Sequence, residues 1–270
     1  SGGLGIGNLG VTMSRAGVGK TAFLVQIGLD AIIREKKVLH VAIGQTTEHV
    51  HAWYDALFKA VTGDSAAEDI DAVRATMTQH RVIQTFAADM PCTPQRLEQT
   101  AGLFLNHMHF KPDLIMIDGF DWAALSPVKT AATLGAFKSC AHRLNAELWM
   151  SAQTHHTVPK AHPVRIMPPC DTFDELIEVA VFLEPEAGQV SVRLLKDHDV
   201  DTIPDSHLLI QCDTFNLTTD QAQQRLSLHA GAHTLLSGGA QGAEAAFGEC
   251  AEKWGLQEIN FSFEGHQTVR

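Results

Sequence analysis

Ser14-Arg15-Ala16-Gly17-Val18-Gly19-Lys20-Thr21 separates an apolar run at residues 9–13 from a helix-forming segment at residues 20–34. Strand, tight turn and helix form the unit in which backbone N–H groups converge on a phosphate, and Gly17, Gly19, Lys20 and Thr21 stand where such a loop needs them. Lys20 would reach the β- and γ-phosphate oxygens and the Thr21 hydroxyl would ligate Mg²⁺, while the positive end of the helix opening at Ala22 adds to the anion site. The expected nucleotide-binding stretch is thus Ser14, Arg15, Ala16, Gly17, Val18, Gly19, Lys20, Thr21 and Ala22. The usual pattern begins with Gly, and Ser14 occupies that place. Serine is small enough to enter the loop but lacks glycine's freedom at positive φ, so an altered first turn is expected.

Composition frames this reading. The 270 residues are 45% hydrophobic and 19% charged, enough for a full core in one large domain or one domain plus a partial second. A formal net charge of −11 argues against binding nucleic acid with the whole surface and leaves room only for a local basic groove. No apolar run approaches the ~20 residues that span a bilayer, and the N-terminus lacks a charged region followed by an apolar one, so no membrane association is expected. Cys92, Cys140, Cys170, Cys212 and Cys250 lie far apart without a C-x-x-C pair and read as reduced thiols of a cytoplasmic protein. The histidines are scattered, and the adjacent pair His155-His156 would face opposite sides of a strand, which speaks against a histidine metal site.

Strands alternate with helices along the chain, the pattern of an α/β protein whose mostly parallel sheet is covered on both faces. Strands are expected at residues 9–13, 38–44, 81–86, 113–118 and 147–153, with helices at 20–34, 48–61, 93–107 and 130–144. Residues 62–79 read as a polar segment. Residues 179–184, 190–196 and 207–213 read as closing strands separated by turns, ending a first domain at residues 1–215.

Two strand ends carry further chemistry. Asp113-Leu114-Ile115-Met116-Ile117-Asp118 holds four consecutive apolar residues, as a strand buried on both faces does, and would deliver the Asp118 carboxylate beside the phosphate loop to hold the Mg²⁺ shell. Leu148-Trp149-Met150-Ser151-Ala152-Gln153 ends in an amide where a γ-phosphate sensor would stand. Late in the domain, Leu194-Leu195-Lys196-Asp197-His198 ends a strand in cationic chemistry; as a sequence pattern this also fits a solvated turn.

Together these residues resemble the RecA-like ATPases, on the KaiC and DnaB-helicase side of that family, over residues 4–215. The resemblance rests on Gly17-Val18-Gly19-Lys20-Thr21, Ile115-Met116-Ile117-Asp118, Ser151-Ala152-Gln153 and Lys196-Asp197-His198. It implies a RecA-like fold, ATP and Mg²⁺ as ligands, and a homo-oligomer with nucleotide at subunit contacts. In that family a Lys-x-Arg pair at the last site reaches the neighbour's γ-phosphate. Here Lys196 matches and His198 replaces the Arg, and a neutral imidazole lacks the guanidinium's fixed charge and fork of donors. RecA-like enzymes also place a Glu just after the second strand to activate water, whereas this strand runs through Val41-Ala42-Ile43-Gly44 into Gln45-Thr46-Thr47-Glu48. Glu48 is the nearest candidate base. It equally suits the start of a helix with Thr47 as N-cap, and Gln45 could position water instead. The catalytic set expected is Lys20, Glu48, Gln153 and Lys196, with Thr21 and Asp118 at the metal.

Residues 216–270 change character. Thr234-Leu235-Leu236 leads into Ser237-Gly238-Gly239-Ala240-Gln241-Gly242-Ala243-Glu244, then a helix-forming stretch and a strand at residues 258–263. Gly238, Gly239 and Gly242 would let a backbone approach a phosphate or ribose at a helix N-terminus. The loop resembles that of the SLOG superfamily of Rossmann-like nucleotide-binding domains, although the segment supplies only part of such a fold. The expected function is Mg²⁺-dependent ATP binding with slow hydrolysis, used as a switch or assembly factor. A nucleic-acid motor would instead need a basic, aromatic-bearing loop, and residues 154–165 offer Lys160 and Arg165 but no aromatic. A scaffold that binds nucleotide without cleaving it is the third reading.

Overall fold

Apolar runs too short for helices and too continuous for a half-exposed strand must be buried on both sides, and the strands of this chain are. The computed structural model describes residues 3–62, 67–156, 166–186, 188–200, 208–211, 217–219, 234–237 and 257–260. In it β1 (Leu9–Ser14) and β4 (Leu114–Asp118) are buried along their whole length. The chain divides into two units, Ser1–Leu217 and Thr218–Arg270.

In the first unit, eight strands lie in the order β3-β2-β4-β5-β1-β6-β7-β8. These are β2 (Val38–Ile43), β3 (Arg81–Phe86), β5 (Glu147–Gln153), β6 (Val179–Glu186), β7 (Gln189–Asp197) and β8 (Leu208–Gln211), with β1 and β4 between them. β3 through β6 pair in parallel, and β6-β7-β8 turn back antiparallel, so the sheet is mixed but mostly parallel. A further short strand, β9 (Leu217–Thr219), spans the division between the units. The helices are α1 (Lys20–Ile33), α2 (Thr47–Thr62), α3 (Ala67–His80), α4 (Pro94–Met108) and α5 (Pro127–Leu144). The expected α/β class therefore holds. α3 occupies most of the segment read as polar; its apolar residues are few and widely spaced, so the periodicity that marks a helix is faint there.

Strand alternation sorts the core into two layers. Leu9, Val11, Met13, Ile115, Ile117, Leu148 and Met150 share one apolar cluster with Leu97 of α4 and Phe137 of α5. Leu114, Met116 and Trp149 share the other with Leu24 and Ile32 of α1 and Tyr54 of α2. Gly10 is required by crowding here, since a Cβ on it would lie 2.7 Å from the Trp149 ring carbons. The parity has a functional consequence. Asp118 shares the side of Leu114 and Met116, and Gln153 the side of Trp149, so both reach the C-terminal strand edge on the face that carries α1.

The second unit contains β10 (Thr234–Ser237) and β11 (Gln257–Asn260), paired in parallel with Thr234 opposite Gln257 and Ser237 opposite Asn260. Gly238, Gly239 and Gly242 lie outside the described residues, as do Lys160 and Arg165. Among the described residues no helix is long and apolar enough to cross a membrane.

Candidate functional site

The loop between β1 and α1 is held open by backbone geometry that only glycine adopts readily. Gly17 has φ 76° and Gly19 has φ 113°, both left-handed. A Cβ built on either would meet no atom within 4 Å, so conformation and not crowding requires glycine at both places. Gly19 is also the N-cap of α1, whose first turn carries no acidic residue and receives no side-chain cap. The first N–H groups of α1 thus lack the side-chain acceptor that Thr93 gives α4 through its bond from Arg96 N–H. Such a terminus attracts an anion.

Ser14 departs from the expectation of an altered turn. It is the last residue of β1, fully buried, and its φ is not positive, so the missing glycine leaves the backbone unstrained. Its hydroxyl donates to Arg15 O at 2.9 Å. Lys20 folds across the loop, donating from Nζ to Arg15 O at 3.1 Å and to Ser14 O and Oγ at 3.4 Å. Burial pulls the Lys20 pKa below the ordinary lysine value, and the Asp118 charge opposes that shift.

Across the strand edge, the Thr21 hydroxyl donates to Asp118 Oδ2 at 2.6 Å, joining residues 97 positions apart in the chain. Gln45 Nε2 donates to the same oxygen at 2.8 Å. The register explains the convergence: Ala42 of β2 pairs with Asp118, so the chain leaving β2 passes directly over the carboxylate. Gln153 pairs with Ser14 at the same edge and is exposed. Thr154 N–H bonds Ser14 O at 3.0 Å, fixing the two strand ends together.

The remaining candidates lie elsewhere. Glu48 is solvent-exposed on the first turn of α2, its pKa lowered by bonds to its own backbone N–H and to the Thr46 side chain. It lines an open groove of about 440 Å³ between the ends of β2 and β3, together with Thr46, Thr47 and Thr85. The cap of α2 is Thr46, whose Oγ1 accepts from His49 N–H at 3.2 Å, and not Thr47, whose hydroxyl faces that of Thr85 at 3.4 Å. Lys196 pairs with Ala180 near the start of β6, toward the opposite end of the parallel strands from the phosphate loop. Its Nζ donates to Asp174 O at 2.7 Å and meets Asp174 Oδ1 at 3.3 Å. His198, at φ 51°, has Nδ1 2.7 Å from Asp197 Oδ1 and Nε2 3.0 Å from Leu4 O. The Asp197 hydrogen bond raises its pKa, so it carries more positive charge than a free imidazole at the same pH.

Thr21 and Asp118 are hard oxygen donors of the kind Mg²⁺ accepts alongside phosphate oxygens and water. Among the described residues no cluster of three or more His, Cys, Asp or Glu could hold a metal by itself. The Gln45–Asp118 contact is the part sequence reasoning did not rank; its signal was the rule that residues just past strand C-termini build sites in parallel sheets.

No protein-family model and no curated protein matches this chain. Fold and site define it as an α/β protein with a glycine-hinged loop, lysine, threonine and aspartate gathered at the C-terminal edge of its sheet.

Proposed function

We propose that the first unit is a Mg²⁺-dependent ATP-binding domain of the RecA-like class that hydrolyses its nucleotide slowly and serves as a switch or assembly factor. The observation that carries this reading is the Thr21–Asp118 bond of 2.6 Å beneath an uncapped helix start, with Lys20 held across the same loop. A strand order that sets β5, ending in Gln153, between β1 and β4 supports it, because it ranges amide, loop and carboxylate along one edge. The loop's N–H groups and Lys20 would bind phosphate oxygens, and Thr21 with Asp118 would hold Mg²⁺, which when bound neutralises phosphate charge. The surroundings of Glu48 support slow turnover. A base must come within hydrogen-bond reach of the attacking water, and this carboxylate is engaged with Thr46.

Binding without cleavage is the second reading, favoured by the same position of Glu48. Titration with labelled ATP and Mg²⁺, on wild type and Lys20→Ala, tests the binding proposal: saturable uptake lost in the variant supports it, and no uptake by wild type overturns it. Phosphate release measured on the same samples separates slow hydrolysis from none. Stimulation by single-stranded DNA would point to a nucleic-acid motor instead.

A further inference from the structure

Gln45 is bound at one end only. Its Nε2 donates to Asp118 Oδ2, the oxygen that also accepts the Thr21 hydroxyl. Chemistry fixes this orientation, because an ionised carboxylate only accepts hydrogen bonds and the amide must present its NH₂ group to it. Oε1 is thereby turned away from Asp118, and it is buried without a hydrogen-bond partner. Folded proteins leave few buried acceptors in that condition, and each asks for a donor that the protein itself does not supply.

The neighbourhood says which donor fits. Thr21 and Asp118 are oxygen ligands suited to a hydrated divalent cation, and water on such a cation is a strong hydrogen-bond donor. A carboxylate in place of Gln45 would set two negative groups side by side. A neutral amide instead donates to one carboxylate and offers an acceptor without adding charge.

We propose that Gln45 is a positioning residue for hydrated Mg²⁺, its Nε2 fixing the Asp118 carboxylate and its Oε1 accepting from a metal-bound water. This rests on the Mg²⁺-nucleotide reading of the site. Residues that orient metal ligands from one shell out change metal affinity by roughly 10–100-fold when removed. The amide does not titrate, so the contribution is independent of pH near neutrality.

The test is ATP binding by calorimetry on the full chain, with Mg²⁺ titrated and with EDTA, for wild type and Gln45→Leu. Gln45→Leu is expected to raise the Mg²⁺ concentration for half-maximal binding by about tenfold, with the affinity for ATP in EDTA unchanged within about twofold. A Mg²⁺ requirement identical in wild type and Gln45→Leu overturns the inference, as does a parallel loss of affinity with and without Mg²⁺, which marks a packing role. Wild-type binding that ignores EDTA overturns the Mg²⁺ reading itself, and is told apart because it needs no variant.

Discussion

Glu48 and Gln45 stand three positions apart and meet different surroundings, which makes the pair a test of what each can do. Glu48 has spent its carboxylate on its own helix start and on Thr46, so Glu48→Gln is expected to change the rate of phosphate release by less than about twofold, read in a steady-state assay. A loss of a hundredfold would make it the base after all. A second residue-scale prediction concerns His40, fully buried on β2 with Nδ1 3.3 Å from the Tyr54 hydroxyl and Nε2 without a partner. Burial pushes its pKa down to about 4, with the Asp118 charge opposing and the Arg81 charge assisting. The unfolded chain therefore binds a proton, at an ordinary pKa near 6.5, that the folded chain refuses. Stability is full above that value and falls as the pH drops toward 4, by on the order of 3 kcal/mol from this group. Urea midpoints between pH 4 and 7.5 check it, and His40→Leu should flatten the slope. The buried thiols Cys92, Cys140 and Cys170 belong to the same scale. Desolvation raises all three pKa values, Cys92 to about 12, which keeps them unreactive.

Elements are tied together here by side chains that no local pattern announces. Glu178, just before β6, accepts from Leu9 N–H at 2.7 Å with Oε2 and from Lys138 Nζ of α5 with Oε1 at 2.5 Å. It thereby pins the first strand, the sixth strand and the helix behind them. Glu178→Ala leaves a half-buried ammonium and an unmatched N–H, and should destabilise the first unit by about 2 kcal/mol in a denaturant titration; a change under about 0.5 kcal/mol would show the contact to be replaceable by water. The strands were readable in advance because their apolar runs end in turn residues, and β1, β4 and β5 carry the site, so Lys20, Thr21, Asp118 and Gln153 could be assigned to one edge from sequence. What could not be read depends on register and on side-chain pairing. Nothing in Gly44-Gln45-Thr46-Thr47-Glu48 says that Gln45 turns to Asp118 and Glu48 to solvent, since the difference is a matter of where the chain leaves β2. The cap fell on Thr46 for the same reason: both threonines suit an N-cap, and only the backbone angle at the helix entry chooses between them. Arg81 is similar, its guanidinium 4.3 Å from the Tyr54 ring centroid, a contact between α2 and β3 with no sequence signature.

At the scale of the molecule, the division at Leu217 and Thr218 separates a unit that holds every described element of the candidate site from one whose described part is the end of β9 and two short parallel strands. Among the described residues, the first unit has core on both faces of its sheet. A chain of that size buries enough apolar surface to fold without help. Lys20, Thr21, Gln45, Asp118 and Gln153 all belong to it, and their described contacts join residues of that unit. Residues 1–217 expressed alone are therefore expected to give one cooperative thermal transition and to bind ATP with Mg²⁺ within about threefold of the full chain. The measurement is calorimetric unfolding and ATP titration on both proteins at equal concentration. If the shorter chain folds and binds tenfold more weakly, the second unit contributes to the nucleotide site; if it fails to fold, the two units share a core and the division is one of geometry alone. An unchanged affinity would instead show that residues 218–270 add nothing to nucleotide binding at the phosphate loop.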